Sequence, residues 1–181
     1  MKTIIFATSN ERKLGEARIA CYKFNIKVEQ IILDIEEIQS DDPIEISANK
    51  SEKAYAKIKK PVVVSDTYWF IPSLNGFPGG YMKDVAKWFT SEDFINLVKD
   101  KNDKRISFTE SITYKDSSQT KTLSKEYRGN LVDKPRGLGN SIENVAEFGG
   151  FTLGERREQG GYSHKPEEYV WFDFAKWYSN N

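Results

Sequence analysis

The stretch MKTIIFATSNERKLGEARIACY, residues 1–22, sets the fold class, because its apolar residues change period midway. Ile4, Ile5 and Phe6 form a short continuous run of strand-forming residues. Ser9 or Asn10 then offers a capping side chain, and from Glu11 to about Tyr22 the positions Leu14, Ala17 and Cys21 recur at helical spacing. The same rhythm of run, polar turn and helix continues outward. Ile31 to Leu33 and Val62 to Val64 are further runs, and the helix between them carries Pro43 in its first turn. On that helix Ile44, Ala48, Ser51, Tyr55 and Ile58 share one stripe, while Ile46, Lys50, Lys53 and Lys57 share the adjoining one. Runs without in/out alternation, separated by helices, predict an α/β layer architecture with some parallel strand pairing and helices on both faces of a sheet.

Beyond the turn-rich Asn75-Gly76-Phe77-Pro78-Gly79-Gly80, helical patterns cover Tyr81 to Phe89 and Glu92 to Val98, with Thr90 or Ser91 as cap of the second. Arg105 to Tyr114 and Thr120 to Tyr127 predict an antiparallel pair, joined around Asp116 to Gln119, in a second lobe. From about Pro166 to Tyr178 a last helix places Val170, Phe174 and Trp177 on one face. Cys21 on the first apolar stripe reads as a small buried hydrophobe. Glu155-Arg156-Arg157-Glu158 reads as a solvated mixed-charge loop.

At 181 residues the chain suits one domain, with room for two lobes sharing a cleft. Lys plus Arg and Asp plus Glu each number 27, so no global field draws it to nucleic acid or anionic lipid. With one cysteine, Cys21, and one histidine, His164, disulfide frameworks, Cys-based zinc sites and His-cluster metal sites are excluded, and any metal must sit on carboxylates. The absence of a long apolar run predicts a chain without a membrane span, in a reducing, cytoplasmic setting.

Ligands of open α/β sheets gather beyond the carboxyl ends of the strands. The three runs there empty into Thr8-Ser9-Asn10-Glu11-Arg12-Lys13, into Asp34-Ile35-Glu36-Glu37-Ile38-Gln39 and into Ser65-Asp66-Thr67. A polar loop opening a helix presents N–H groups and a positive dipole end to phosphate, and Lys13 adds charge. Taken alone, that segment is equally an ordinary N-cap, and the acidic one an exposed turn. Mg²⁺, however, takes one or two carboxylates with water and phosphate completing its shell, and Glu37 and Asp66, each just past a strand, fit that need.

These segments, in this order, resemble the inosine triphosphatase family of nucleoside triphosphate pyrophosphatases. Thr8-Ser9-Asn10 with Lys13 is similar to its phosphate-binding motif, and Asp34 to Gln39 to its acidic metal-binding segment. Glu45-Ile46-Ser47 with Asn49-Lys50 is similar to the helix whose lysine reaches the phosphates. Val62 to Thr67, continuing through Leu74 to Gly79, resembles the strand and turn that carry the family's essential aspartate. Ser163-His164-Lys165 resembles its Ser-His-Arg signature. The resemblance implies an elongated two-lobed mixed sheet flanked by helices with a central cleft, lobe one spanning about residues 1–75 plus the C-terminal helix and lobe two about 76–155. It implies a homodimer that cleaves between the α and β phosphates with Mg²⁺, or Mn²⁺ in its place. Glu37 and Asp66 are then the metal ligands, with Asp66 the base or water-orienting group. Thr8, Ser9, Asn10, Lys13 and Lys50 hold the phosphates.

Departures concentrate at the base end. Ser65 stands where many members have a second acidic residue. The family's Gly-Phe-Gly-aromatic-Asp-Pro segment is represented by Gly137-Leu138-Gly139-Asn140-Ser141-Ile142, without the stacking aromatic or the aspartate. Gln159 replaces a lysine, with Arg156 or Arg157 as candidate substitutes, and Lys165 replaces an arginine whose bidentate fork it cannot form. Asn140, Gln159, Ser163, His164 and Lys165 remain the candidate base-binding residues. The competing reading is a non-catalytic nucleotide-binding or interaction protein on the same fold. A stable nucleic-acid complex is disfavoured by the zero net charge.

Overall fold

The computed structural model describes all residues except Gln39 and residues 160–165. It contains an eight-stranded mixed sheet in the order β2-β1-β3-β5-β6-β7-β8, with β4 paired to β3. The strands are β1 (Lys2–Ala7), β2 (Ile26–Ile31), β3 (Val62–Phe70), β4 (Pro78–Gly79), β5 (Arg105–Lys115), β6 (Thr120–Leu131), β7 (Ala146–Phe148) and β8 (Phe151–Thr152). The helices are α1 (Glu11–Tyr22), α2 (Pro43–Ile58), α3 (Met82–Trp88), α4 (Ser91–Val98), α5 (Leu153–Glu158) and α6 (Val170–Ser179). β1 pairs in parallel with both β2 and β3, whereas β3/β4, β6/β7 and β7/β8 are antiparallel. No helix among the described residues is long and apolar enough to cross a membrane.

The chain divides into two compact units. One comprises the described residues of 1–67, 110–125 and 164–181, and the other 68–109 and the described residues of 126–163. In the first, alternate residues of each strand go to opposite layers. Ile4 and Phe6 of β1, Ile26 and Val28 of β2, Val63 of β3 and Ile112 and Tyr114 of β5 pack with α1 and α6. Ala7, Val62 and Val64 pack on the other side, against Ala54 of α2. Trp171 and Phe6 meet edge to face at 4.6 Å in the first layer, both wholly buried. In the second unit Trp69, Phe94, Phe108, Ile142 and Phe148 share a separate core.

Three elements differ from the periodicity reading. The second strand is not the apolar run Ile31 to Leu33 but the preceding alternation, with Ile26 and Val28 inside and Lys27 and Glu29 outside. Among the described residues its only neighbour is β1, so it is an edge with exposed charged positions, and Ile32 lies 69% exposed beyond its end. The segment Glu155 to Glu158 is helical rather than a loop. Thr152 and Glu155 form a capping box, each side chain accepting from the other's backbone N–H, which starts α5 and holds its mixed charges in register. On α2 the buried positions are Ile46, Ser47, Ser51 and Ala54, so Ile44 falls outside at 48% exposure and the stripe is turned toward Ile46.

Candidate active site

The candidate residues of the first unit meet where β1 ends and β3 continues. Phe6 lies opposite Val63 in the β1/β3 register, so counting on brings Asp66 level with Ser9, just past the end of β1. Asp66 therefore sits inside β3, not past it. β3 outlasts its pairing with β1, because Trp69 and Phe70 pair instead with Gly79 and Pro78 of β4.

β1 stops in a turn built by its own side chains. The Thr8 N–H donates to the Ile31 carbonyl at 3.0 Å, and the Thr8 Oγ1 accepts from the Asn10 N–H at 3.1 Å. Asn10 caps α1, its Oδ1 accepting from the N–H groups of Arg12 and Lys13 at 3.0 and 3.2 Å. From β2, Gln30 Nε2 donates to the Thr8 carbonyl and the Glu11 carboxylate at 3.1 and 3.0 Å. Thr8 and Asn10 thus shape the loop with their side chains, and exposed Ser9 lies between them.

Glu37 reaches the site from an extended loop after β2, six residues beyond Ile31, and not directly from a strand end. The lysine stripe of α2 fastens that loop. Lys57 donates to the Asp34 carbonyl, Lys53 to the Glu36 carbonyl at 2.7 Å, and Lys50 to the Glu37 carboxylate at 2.6 Å. Lys50 also lies 3.4 Å from the Ser65 carbonyl, and so spans the loop and β3.

The charges here are only partly satisfied. Burial pushes the Asp66 carboxyl above the usual carboxylate range, opposed by the charges of Lys13 and Lys50 and reinforced by that of Glu37. Burial likewise lowers the Lys13 ammonium, opposed first by Glu110 and then by Asp66. Glu110 on β5 is missing from the reading above. It is 4% exposed, and burial together with the neighbouring Glu16 raises it to about 7. Glu16 is itself buried and pairs with Arg12 at 2.6 Å. The Oε1 of Glu110 and the Oε2 of Glu16 have no hydrogen-bond partner.

Glu37 and Asp66 fit a hard divalent cation. The charge of Glu37 disfavours that of the partly desolvated Asp66, a tension a cation relieves. Among the described residues no third Asp, Glu, His or Cys joins them as a ligand group, which suits a cation completed by water and phosphate. Ser65, at the departed acidic position, is 4% exposed and its Oγ has no hydrogen-bond partner.

The base-end candidates lie in the second unit or outside the described residues. Asn140 is exposed and caps a local turn, its Oδ1 accepting from the Glu143 N–H at 3.2 Å and its N–H donating to the Glu143 carboxylate at 2.9 Å. Gln159 is exposed at the end of α5. Ser163, His164 and Lys165 lie outside the described residues. Arg157 pairs with the buried Glu143, and Arg156 donates to the Phe148 carbonyl at 3.0 Å while lying over the Phe151 ring.

Comparison with known proteins gives a consistent set of relatives. A model of the Ham1 family matches residues 4–141, a span that holds Thr8, Lys13, Glu37, Lys50 and Asp66 and ends before Gln159. The chain is 31% identical to a dITP/XTP pyrophosphatase of Methanopyrus kandleri, covering 98% of this chain and 97% of that one. It is 35% identical to inosine triphosphate pyrophosphatase 2 of Trypanosoma cruzi, covering 86% and 82% respectively. In fold it matches a HAM1 protein from Coxiella burnetii over the whole of both chains, with a TM-score of 0.84 at 20% identity.

Proposed function

Since the chain belongs to the Ham1 family, we propose that it hydrolyses a nucleoside triphosphate with a non-standard or modified base to the monophosphate and pyrophosphate. The observation that carries this reading is the near full-length similarity to dITP/XTP pyrophosphatases, together with the meeting of Lys13, Lys50, Glu37 and Asp66 around one sheet edge. Lys13 and Lys50 draw the phosphate chain to the first turn of α1, where the N–H groups not taken by Asn10 and the helix dipole add to the attraction. The side chains of Thr8 and Asn10 act by fixing that turn, and exposed Ser9 offers its own groups to phosphate. Asp66 is the group that orients or deprotonates the attacking water, and its raised affinity for protons suits that task. A divalent cation, Mg²⁺ or Mn²⁺, on Glu37 and Asp66 supplies charge neutralisation on the phosphate oxygens when bound.

The base end carries new selectivity in this reading. The Gly137 to Ile142 segment lacks both an aromatic platform and an acidic base reader, and Asn140 and Gln159 join Ser163, His164 and Lys165 there as neutral or basic donors. The protein works as a homodimer in a cytoplasmic setting, without a stable nucleic-acid partner. Light scattering tests the first of these points.

The deciding experiment is pyrophosphate release from a panel that includes dITP, XTP and modified nucleoside triphosphates, with and without Mg²⁺. The proposal expects release on at least one nucleotide, abolished by chelation and by Asp66→Asn or Glu37→Gln. Nucleotide binding without release on any member would instead support a binding protein on this fold.

A further inference from the structure

β5, which shares a core with α1, carries a buried carboxylate for which the hydrolytic reading has no use. Glu110 is 4% exposed and stands on β5 in the row that continues through Ile112 and Tyr114 into the core shared with α1 and α6. A charge on a central strand is desolvated on every side, and its Oε1 finds no hydrogen-bond donor. On the helix above, Arg12 is already engaged by Glu16. The Lys13 ammonium makes no hydrogen bond or ion pair among the described residues. Of the charges that favour its ionised form, Glu110 is the first and Asp66 the second. Lys13 thus lies in the fields of both an interior carboxylate and the site carboxylate, with an ion pair to neither among the described residues.

We propose that Glu110 is a positioning residue, whose buried charge draws the Lys13 ammonium without a direct ion pair and so aims it at phosphate beyond β1. The inference rests on the reading of Lys13 as a phosphate ligand. The physical need is plain. Lysine is a point charge on a four-carbon stem, and in a desolvated place without a counter-ion it either loses its proton or turns to solvent. Asp66 is committed to the water and the cation, so it is a poor permanent partner. A carboxylate fixed on a central strand is a rigid one.

The test is Glu110→Gln, which keeps shape and removes the charge, with Glu110→Asp as the conservative control. KM and kcat on dITP and the Kd for inorganic tripolyphosphate are measured at about pH 8, in wild-type and Lys13→Met backgrounds, alongside melting temperatures. A positioning role expects KM and Kd to rise about tenfold with kcat changed far less, since a misaimed ammonium weakens the hold on phosphate. Glu110→Asp restores part of the loss. The effect disappears when Lys13 is already Met. The melting temperature of Glu110→Gln stays level or rises, because repulsion with Glu16 is relieved. A purely structural role predicts the reverse, a lower melting temperature with KM unchanged or with a loss that persists in the Lys13→Met background, and either result overturns the proposal. A wild-type protein that neither binds tripolyphosphate nor hydrolyses dITP defeats the hydrolytic reading itself and this inference with it, a result separable from the first two.

Discussion

Two charged clusters in this molecule use the same residue types to opposite ends. In the second unit Arg136 pairs with Glu147 and Glu155, and Arg157 with Glu143, so that five charges between residues 136 and 157 have opposite partners. In the first unit Arg12 pairs with Glu16 and Lys50 with Glu37, but among the described residues Lys13 has no ion pair and the Oε1 of Glu110 and Oε2 of Glu16, both buried, have no hydrogen-bond partner. Satisfied charges hold chain to chain, whereas unsatisfied buried ones are a standing demand for something not yet present. The difference marks the second cluster as scaffold and the first as a place for a ligand.

Breaking the unsatisfied cluster should destroy activity and spare the fold. Asp66→Asn is expected to reduce pyrophosphate release by about 10²–10⁴-fold, the range for loss of a general base, with little change in melting temperature. Single-turnover assays check it. Lys50→Met comes next, at about 10–100-fold in kcat/KM, because it removes a phosphate ligand and also the ion pair to Glu37. Steady-state kinetics with limited proteolysis of residues 32–38 read both effects.

Breaking the satisfied cluster should do the reverse. Arg157→Ala leaves the buried Glu143 without its ion pair and is expected to cost about 1–3 kcal/mol of stability, measured by urea denaturation, with kcat unchanged. A last measurement sharpens the contrast through pH. The carboxyl of Glu110 titrates near 4.5 when unperturbed and near 7 in the fold. Below about 4.5 both states hold the proton and the group's contribution to stability is complete. As pH rises toward 7 the unfolded chain has lost that proton while the fold retains it, so stability declines across the window. The unfolding free energy of wild type relative to Glu110→Gln, from urea denaturation at a series of pH values, is therefore expected to fall between those pH values by up to about 3 kcal/mol, and to level off above them.

The local grammar of α1 made it fully legible, since a polar cap, an apolar stripe and a strand before it are all short-range signals. β2 was misplaced because an edge strand alternates, and which strand is at an edge is a property of strand order that no local window contains. The capping box at Thr152 and Glu155 stood in the sequence and was outweighed by the charges that follow it. Lys13, Glu37, Lys50 and Asp66 are the candidates that the motifs single out, and the fold brings them together. Glu110 escaped because one Glu in Ser107 to Tyr114 looks like the solvent side of a half-exposed strand, and only the covering of β5 by helices turns it inward.

The lysines of α2 form a rack. Helix positions four apart, Lys53 and Lys57, are separated by about 6 Å along the axis, and residues two apart in extended chain advance by about 6.6 Å. The two spacings are nearly commensurate, so Lys57 and Lys53 engage the carbonyls of Asp34 and Glu36 tooth by tooth before Lys50 meets Glu37. What the rack reads at its first two teeth is backbone, indifferent to which side chain stands there. Substitution at 34 or 36 leaves the mesh engaged, while insertion or deletion of a single residue between them slips every tooth and carries Glu37 away from the site.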